Sequence, residues 1–167
     1  LELFEQIPDL KTAIIQLSGG GLISGVAAAL KARNPSIEII GVSMERGAAM
    51  YECQKAGKPV YVEELSSLAD SLGGGIGLNN QYTFPMVRDL VDEIVLVNER
   101  EIAHAIRHAY WEERQIIEGS GSVGIAALLN GKIKPKGVTV CLLSGGNIDM
   151  ALHHRIVSGE DVDVTKE

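Results

Sequence analysis

The sequence predicts an open α/β fold: a mostly parallel sheet with helices on both faces. Two observations predict it. Short apolar runs rich in β-branched residues alternate along the chain with longer helical patterns, and short loops join them. The runs are also apolar at nearly every position, as strands covered on both faces are. With 167 residues and 46% hydrophobic composition, the chain has enough material for one compact domain with a core.

The elements follow in order. TAIIQL (12–17) is a buried strand, and LISGVAAALKARN (22–34) is a helix that stops before Pro35. IEIIGVS (37–43) is the second strand. AAMYECQKAG (48–57) is a helix closed by Gly57, and KPVYVEEL after it is short and extended. The glycine-rich stretch SLADSLGGGIGLNN (67–80) is a loop. QYTFPMVRDLVD (81–92) turns helical after Pro85, and EIVLV (93–97) is the third strand. Asn98 caps the helix that follows, with Glu101 three residues on as in a capping box. SGSVGIAALLNG (120–131) is a small-residue helix ending at Gly131, and VTVCLL (138–143) is the fourth strand. The acidic tail over 159–167 is expected to fray. There is no tandem repeat, low-complexity tract or internal linker.

A net charge of −7 argues against nucleic acid or an anionic membrane as partner. It does not exclude a small anion, which backbone N–H groups can hold. Two cysteines, Cys53 in a helix and Cys141 in an apolar run, make neither a zinc motif nor a disulfide framework. Cys141 reads as a buried thiol. No segment reaches the roughly 18 apolar residues of a membrane span, and no signal-peptide pattern opens the chain. A cytoplasmic setting is expected. The opening LELFEQIPDLK has no Met and runs straight into the first strand, so the chain is expected to begin mid-protein.

Two glycine loops each follow a strand: LSGGGLISGV (17–26) and LLSGGNID (142–149). In a parallel sheet both lie at the carboxyl edge, where such folds bind ligands. The first leads into a helix start, where free N–H groups and the helix dipole favour an anion, and its glycines let backbone approach closely. A phosphate cradle is one reading; a tight strand-to-helix turn without a ligand is the other. Gly19, Gly21 and Gly25 miss the dinucleotide fingerprint because Ser24 stands where a glycine is needed. In the second loop Ser144 could bond a ring nitrogen or another neutral acceptor, or be a polar turn residue.

Four blocks in order resemble the fold-type II pyridoxal-phosphate-dependent serine/threonine dehydratases and their serine racemase relatives: SGGGLISGVAAALKARNP, GLNNQYTFPMVRDLVDEIVLVNEREI, IIEGSGSVGIAALL and VCLLSGGNID. LADSLGGGIGLNN is most similar to the branch of hydroxyectoine-utilisation dehydratases. The resemblance implies pyridoxal 5′-phosphate as cofactor and roles for nine residues. Ser18, Gly19, Gly20, Gly21 and Leu22 match the loop that takes the cofactor phosphate. Ser144 matches the partner of the pyridine nitrogen, where a neutral hydroxyl leaves the ring unprotonated, a weaker electron sink suited to β-elimination. Glu118 matches a glutamate near the ring, and Asn147 shapes the Ser144 turn. Asp70 matches the acidic position of an Ala-Asp-Gly loop that here reads Ala-Asp-Ser, with Ser71.

The same resemblance requires a Schiff-base lysine in a Ser-x-Lys segment well before the phosphate loop. None of the eight lysines (11, 31, 55, 58, 132, 134, 136 and 166) has that setting. The expectation is that this lysine and the segment holding the substrate carboxylate lie upstream, in a missing N-terminal half. Residues 1–158 are then a partial large domain, the C-terminal half of the enzyme, inactive alone. An apolar face left bare for that half is expected at LELFEQI or at 73–77. The family's metal positions fall on Ser43, Gly47 and Ala49, with Glu45 nearby, and no metal site is predicted.

The implied reaction is dehydration of a small hydroxy amino acid (serine, threonine or a hydroxyectoine-derived compound) to a keto acid and ammonia, by a homodimer. The alternatives are a racemase of the same family and a stand-alone anion-binding α/β module. His104 and His108 share a helix face but have no third metal ligand at a suitable spacing, so they read as a surface pair. His153 and His154 are expected to be exposed. Tyr110 and Trp111 read as helix packing or an oligomer contact.

Overall fold

The computed structural model describes residues 2–162 and residue 164. A four-stranded, all-parallel sheet runs β3-β2-β1-β4, built from β1 (Thr12–Gln16), β2 (Glu38–Met44), β3 (Glu93–Val97) and β4 (Thr139–Cys141). In register, Ile14 lies beside Ile40 on one side and Cys141 on the other. Every residue of β1 is buried. Its alternate side chains feed two cores. Ala13 and Ile15 join Ile39 under α2 (Gly21–Arg33), α3 (Ala49–Ala56) and α4 (Thr83–Leu90). Ile14 joins Val42 and Val95 under α5 (Glu99–Trp111), α6 (Gly119–Leu129) and α7 (Met150–Val157). The predicted helix-covered parallel sheet is present.

Local chemistry explains the element ends. The Asn98 side chain accepts from the Glu101 N–H at 3.1 Å, and the Glu101 carboxylate accepts from the Asn98 N–H at 2.8 Å, completing the capping box of α5. Gly57 closes α3 in the left-handed region. Helix α4 differs from expectation. It begins at Thr83, so Pro85 lies inside its first turn, where its missing N–H has no intrahelical partner to lose. The Asn80 side chain takes the Phe84 N–H at 3.0 Å and fixes that start.

Two helices were not expected. The short α1 (Glu2–Gln6) precedes β1, and Leu3, Phe4 and Ile7 pack onto the α2 side of the core. The opening segment is thus partly covered; at 73–77 Ile76 is partly buried, while Leu78 and Tyr61 beside it are exposed. Val138, Leu143 and Leu129 are exposed as well beside β4, which among the described residues pairs with β1 alone. Helix α7 starts where Asp149 accepts from the Leu152 N–H at 2.8 Å. It lies on α5: Arg107 donates to the Ile156 carbonyl at 2.6 Å and Trp111 to that of Val157 at 3.0 Å. The acidic tail is held as far as Val162, which is buried in the core, with Arg107 also bonding the Glu160 carbonyl. Residues 163 and 165–167 of that tail lie outside the described residues.

Helix α7 corrects one expectation. His154 is exposed, but His153 is only 2% exposed, edge-on to Tyr110 with ring centroids 5.3 Å apart, and its Nε2 has no hydrogen-bond partner. Burial, and secondarily His154, hold its pKa below the usual 6.5. The unfolded chain therefore takes up this proton at a higher pH than the folded one. Stability should fall as pH drops through about 6.5 and level off below the folded pKa. The urea midpoint of the native chain should trace this decline, and His153→Phe should flatten it; an unchanged slope would remove His153 as its source.

Candidate functional site

Strand β1 ends at Gln16, and the chain turns through Leu17–Gly20 into α2. At the N-cap, Gly20 adopts φ +89°, which an L side chain rarely tolerates. The turn is also tight: a Cβ on Gly20 would lie 2.9 Å from the Met50 methyl and 3.0 Å from a Val87 methyl. No side chain caps α2, so its first N–H groups are left to face outward. Gly19 and Gly21 have open space where a Cβ would stand. That space is a cleft of about 170 Å³.

Three further walls close the cleft. Glu118 and Ser120 come from the start of α6 and Ser144 from the loop beyond β4, while Ser71 and Leu72 come from a short 3-10 turn over Asp70–Leu72. The loop is clamped onto α6. The Glu118 N–H donates to the Gly145 carbonyl at 3.2 Å, and a Cβ on Gly145 would strike the Glu118 carboxylate. Gln16 forms the floor. Its Nε2 donates to the carbonyls of Gly121 and Leu142. Two residues of the lining each carry a buried oxygen with no partner among the described residues, Gln16 Oε1 and Ser120 Oγ. Among the described residues no lysine, arginine or histidine lines the cleft, so an anion there meets N–H groups and hydroxyls, beside the Glu118 carboxylate.

The cleft brings together Ser18, Gly19, Gly20, Gly21, Leu22, Glu118 and Ser144 of the expected residues, along with Ser71. Asp70 and Asn147 lie outside the lining. Asp70 is exposed, its carboxylate accepting from the Ser71 N–H at 2.8 Å, which turns it away while presenting Ser71. Asn147 is exposed beyond the clamp at Gly145. Sequence reasoning missed Gln16, Ser120 and Leu72. The available signal for Gln16 was a lone amide ending a buried apolar strand.

Other candidates are dispersed. Ser43 is buried with its hydroxyl against the Met44 sulfur at 3.4 Å, and Glu45 lies 3.5 Å from the Lys132 ammonium. Among the described residues no three His, Cys, Asp or Glu side chains converge as a metal site would need. His104 is exposed, and His108 lies 3.6 Å from Glu113. Cys141 is half-buried rather than buried, because β4 is an edge strand. Burial still pushes its thiol up to about 11, so it is inert at neutral pH. No helix among the described residues is long and apolar enough to cross a membrane.

The model of a known family, the pyridoxal-phosphate dependent enzymes, matches residues 1–145. The chain belongs to this family. Pyridoxal phosphate is the family's cofactor. A protein of Sinorhizobium fredii, provisionally named a threonine dehydratase, is 59% identical over 160 residues, covering 95% of this chain and 48% of that protein. An L-threonine ammonia-lyase of Thermotoga maritima is 40% identical over 159 residues, 95% of this chain and 39% of that protein. Among solved structures, maize serine racemase superposes with a TM-score of 0.84 at 36% identity, covering 92% of this chain and 48% of that one. The fold is that of the fold-type II members of the pyridoxal-phosphate family. The chain spans less than half the length of each of these relatives.

Proposed function

We propose that the cleft is the cofactor site of a pyridoxal-phosphate dehydratase, an ammonia-lyase acting on a small hydroxy amino acid. One observation carries this: an uncapped helix start and two buried, unpartnered polar atoms converge on a single cation-free cleft. Such a set fits a phosphorylated aromatic ring with hydrogen-bonding edges. Bound pyridoxal phosphate supplies the electron-withdrawing ring that lets a Cα proton leave. The N–H groups of Gly19–Leu22, with Ser18, hold its phosphate. Ser144 meets the ring nitrogen with a neutral hydroxyl. Glu118 and Leu72 wall the ring, and Asp70 and Asn147 serve by shaping the turns that carry Ser71 and Ser144.

No lysine among the described residues lines the cleft. We place the reactive lysine on a complementary part of the enzyme, landing along the open edge of β4 beside Val138 and Leu143; this chain alone is then inactive. Of the finer proposals, a hydroxyectoine-derived substrate and a homodimer rest on the sequence resemblance, and a cytoplasmic setting on the two unpaired cysteines. A racemase is the second reading, favoured by the likeness to maize serine racemase.

The test combines this chain with the upstream half of the Sinorhizobium fredii relative. Serine, threonine and hydroxyectoine-derived amino acids are supplied with pyridoxal phosphate. Keto acid without the opposite enantiomer supports the dehydratase, and the opposite enantiomer without keto acid supports the racemase. If the chain does not bind pyridoxamine 5′-phosphate, a probe with no aldehyde to react with surface lysines, the cofactor reading is wrong.

A further inference from the structure

Gln16 stands where three walls of the cleft meet. It ends β1, two residues before Ser18 opens the glycine loop. It is 4% exposed, in a strand whose other side chains are apolar except Thr12. A buried amide is costly unless its hydrogen bonds are made. Here both Nε2 protons are used. One goes to the carbonyl of Gly121, next to Ser120 in α6, at 2.9 Å. The other goes to the carbonyl of Leu142, two residues before Ser144. One side chain thus sets the separation between the α6 wall and the Ser144 arm.

The same two bonds fix which way the amide points. Flipped, its oxygen would face two carbonyl oxygens, so Oε1 must be the atom turned the other way. That oxygen is buried, belongs to a residue that lines the cleft, and receives no donor from the described residues. A buried acceptor takes a donor when one is supplied. The cleft is where the donor has to come from.

We infer that Gln16 is a positioning residue of the cofactor cleft: its amide N–H groups lock the Ser144 arm to α6, and its free oxygen accepts a hydrogen bond from the cleft's contents. The donor is an O–H or N–H, carried by the bound ring or by a water beneath it. This rests on the cofactor reading above and deepens it. Filling the cleft then tightens the arm through Gln16, whereas an anion held at the glycine loop alone does not.

The 167-residue chain is titrated with two probes, inorganic phosphate and pyridoxamine 5′-phosphate, as the native chain and as Gln16→Met. Methionine keeps the length and loses every hydrogen bond. The expected result is phosphate binding within twofold of native. Pyridoxamine phosphate should bind at least tenfold more weakly, with a shifted emission of the bound ring. Equal affinity and emission for that probe in both proteins overturn the proposal. Hydrogen exchange on the native chain gives a reading that no folding defect of the variant can blur. Pyridoxamine phosphate should protect the amides of 143–146 and of Gly121–Ser122 more than phosphate does; equal protection by the two probes also overturns it. If the native chain binds neither probe, the cofactor reading itself fails and the role of Gln16 falls with it.

Discussion

Gly21→Asp should leave the chain as stable as before or slightly more so, while weakening phosphate and pyridoxamine phosphate binding at least 100-fold. The two effects have opposite signs because they share a cause. Gly21 is the first residue of α2, has no positive φ, and has nothing within 4 Å of where its Cβ would be. Helix α2 carries no acidic residue in its first turn. A carboxylate there gains about 0.3–1 kcal/mol from the helix dipole. It also occupies the place of the anion. Two unit charges about 4 Å apart repel by about 4 kcal/mol at an effective dielectric constant near 20, enough for the predicted loss. The thermal midpoint and a titration read the two effects separately. Unchanged binding in a folded variant would move the anion site away from the glycine loop.

Gly20→Ala should destabilise the chain by about 2–4 kcal/mol, where Gly19→Ala should cost less than about 0.5 kcal/mol. The difference lies one residue apart. Gly20 holds φ +89°, which costs an L-residue about 1–2 kcal/mol. The new methyl also meets Met50 at 2.9 Å, Val87 at 3.0 Å and the Thr83 Cβ at 3.1 Å. The end of Met50 can move aside, but Val87 and Thr83 sit on α4, so α4 itself must give. Gly19 has neither constraint. Urea midpoints of the two variants decide the matter, and equal costs would show that the turn is not held against α4.

The four strands were legible because a parallel sheet covered on both faces leaves a continuous apolar run, and every residue of β1 is buried as that run implies. The α5 start was legible because a capping box is a local pattern that needs no tertiary partner. Helices α1 and α7 were not: both are held by packing on distant elements, and α7 has neither the C-cap glycine of α3 nor the proline that marked α4. His153 misled for the same reason: histidine is usually exposed, and only the α5 surface with Tyr110 buries it. In the cleft, the glycine loop stood out from its own pattern, while Glu118 and the role of Ser144 came from the family resemblance. Gln16 and Ser120 did not, because the importance of a buried polar atom without a partner depends on what lies across from it. Asp70 matched a motif, yet it is Ser71 and Leu72 of the same turn that line the cleft.

The cleft is closed by segments more than a hundred residues apart, which has a consequence for its birth on the ribosome. The bonds of Gln16 span 105 and 126 residues, and β1, at the centre of the sheet, waits for β4. At about 5–20 residues per second, the glycine loop emerges on the order of ten seconds before Ser144 does. During that interval β1 has an unpaired side, and the site cannot capture its ligand. Binding stabilises only a form that can bind. A ligand of this cleft can therefore assist completion of the fold but cannot seed it.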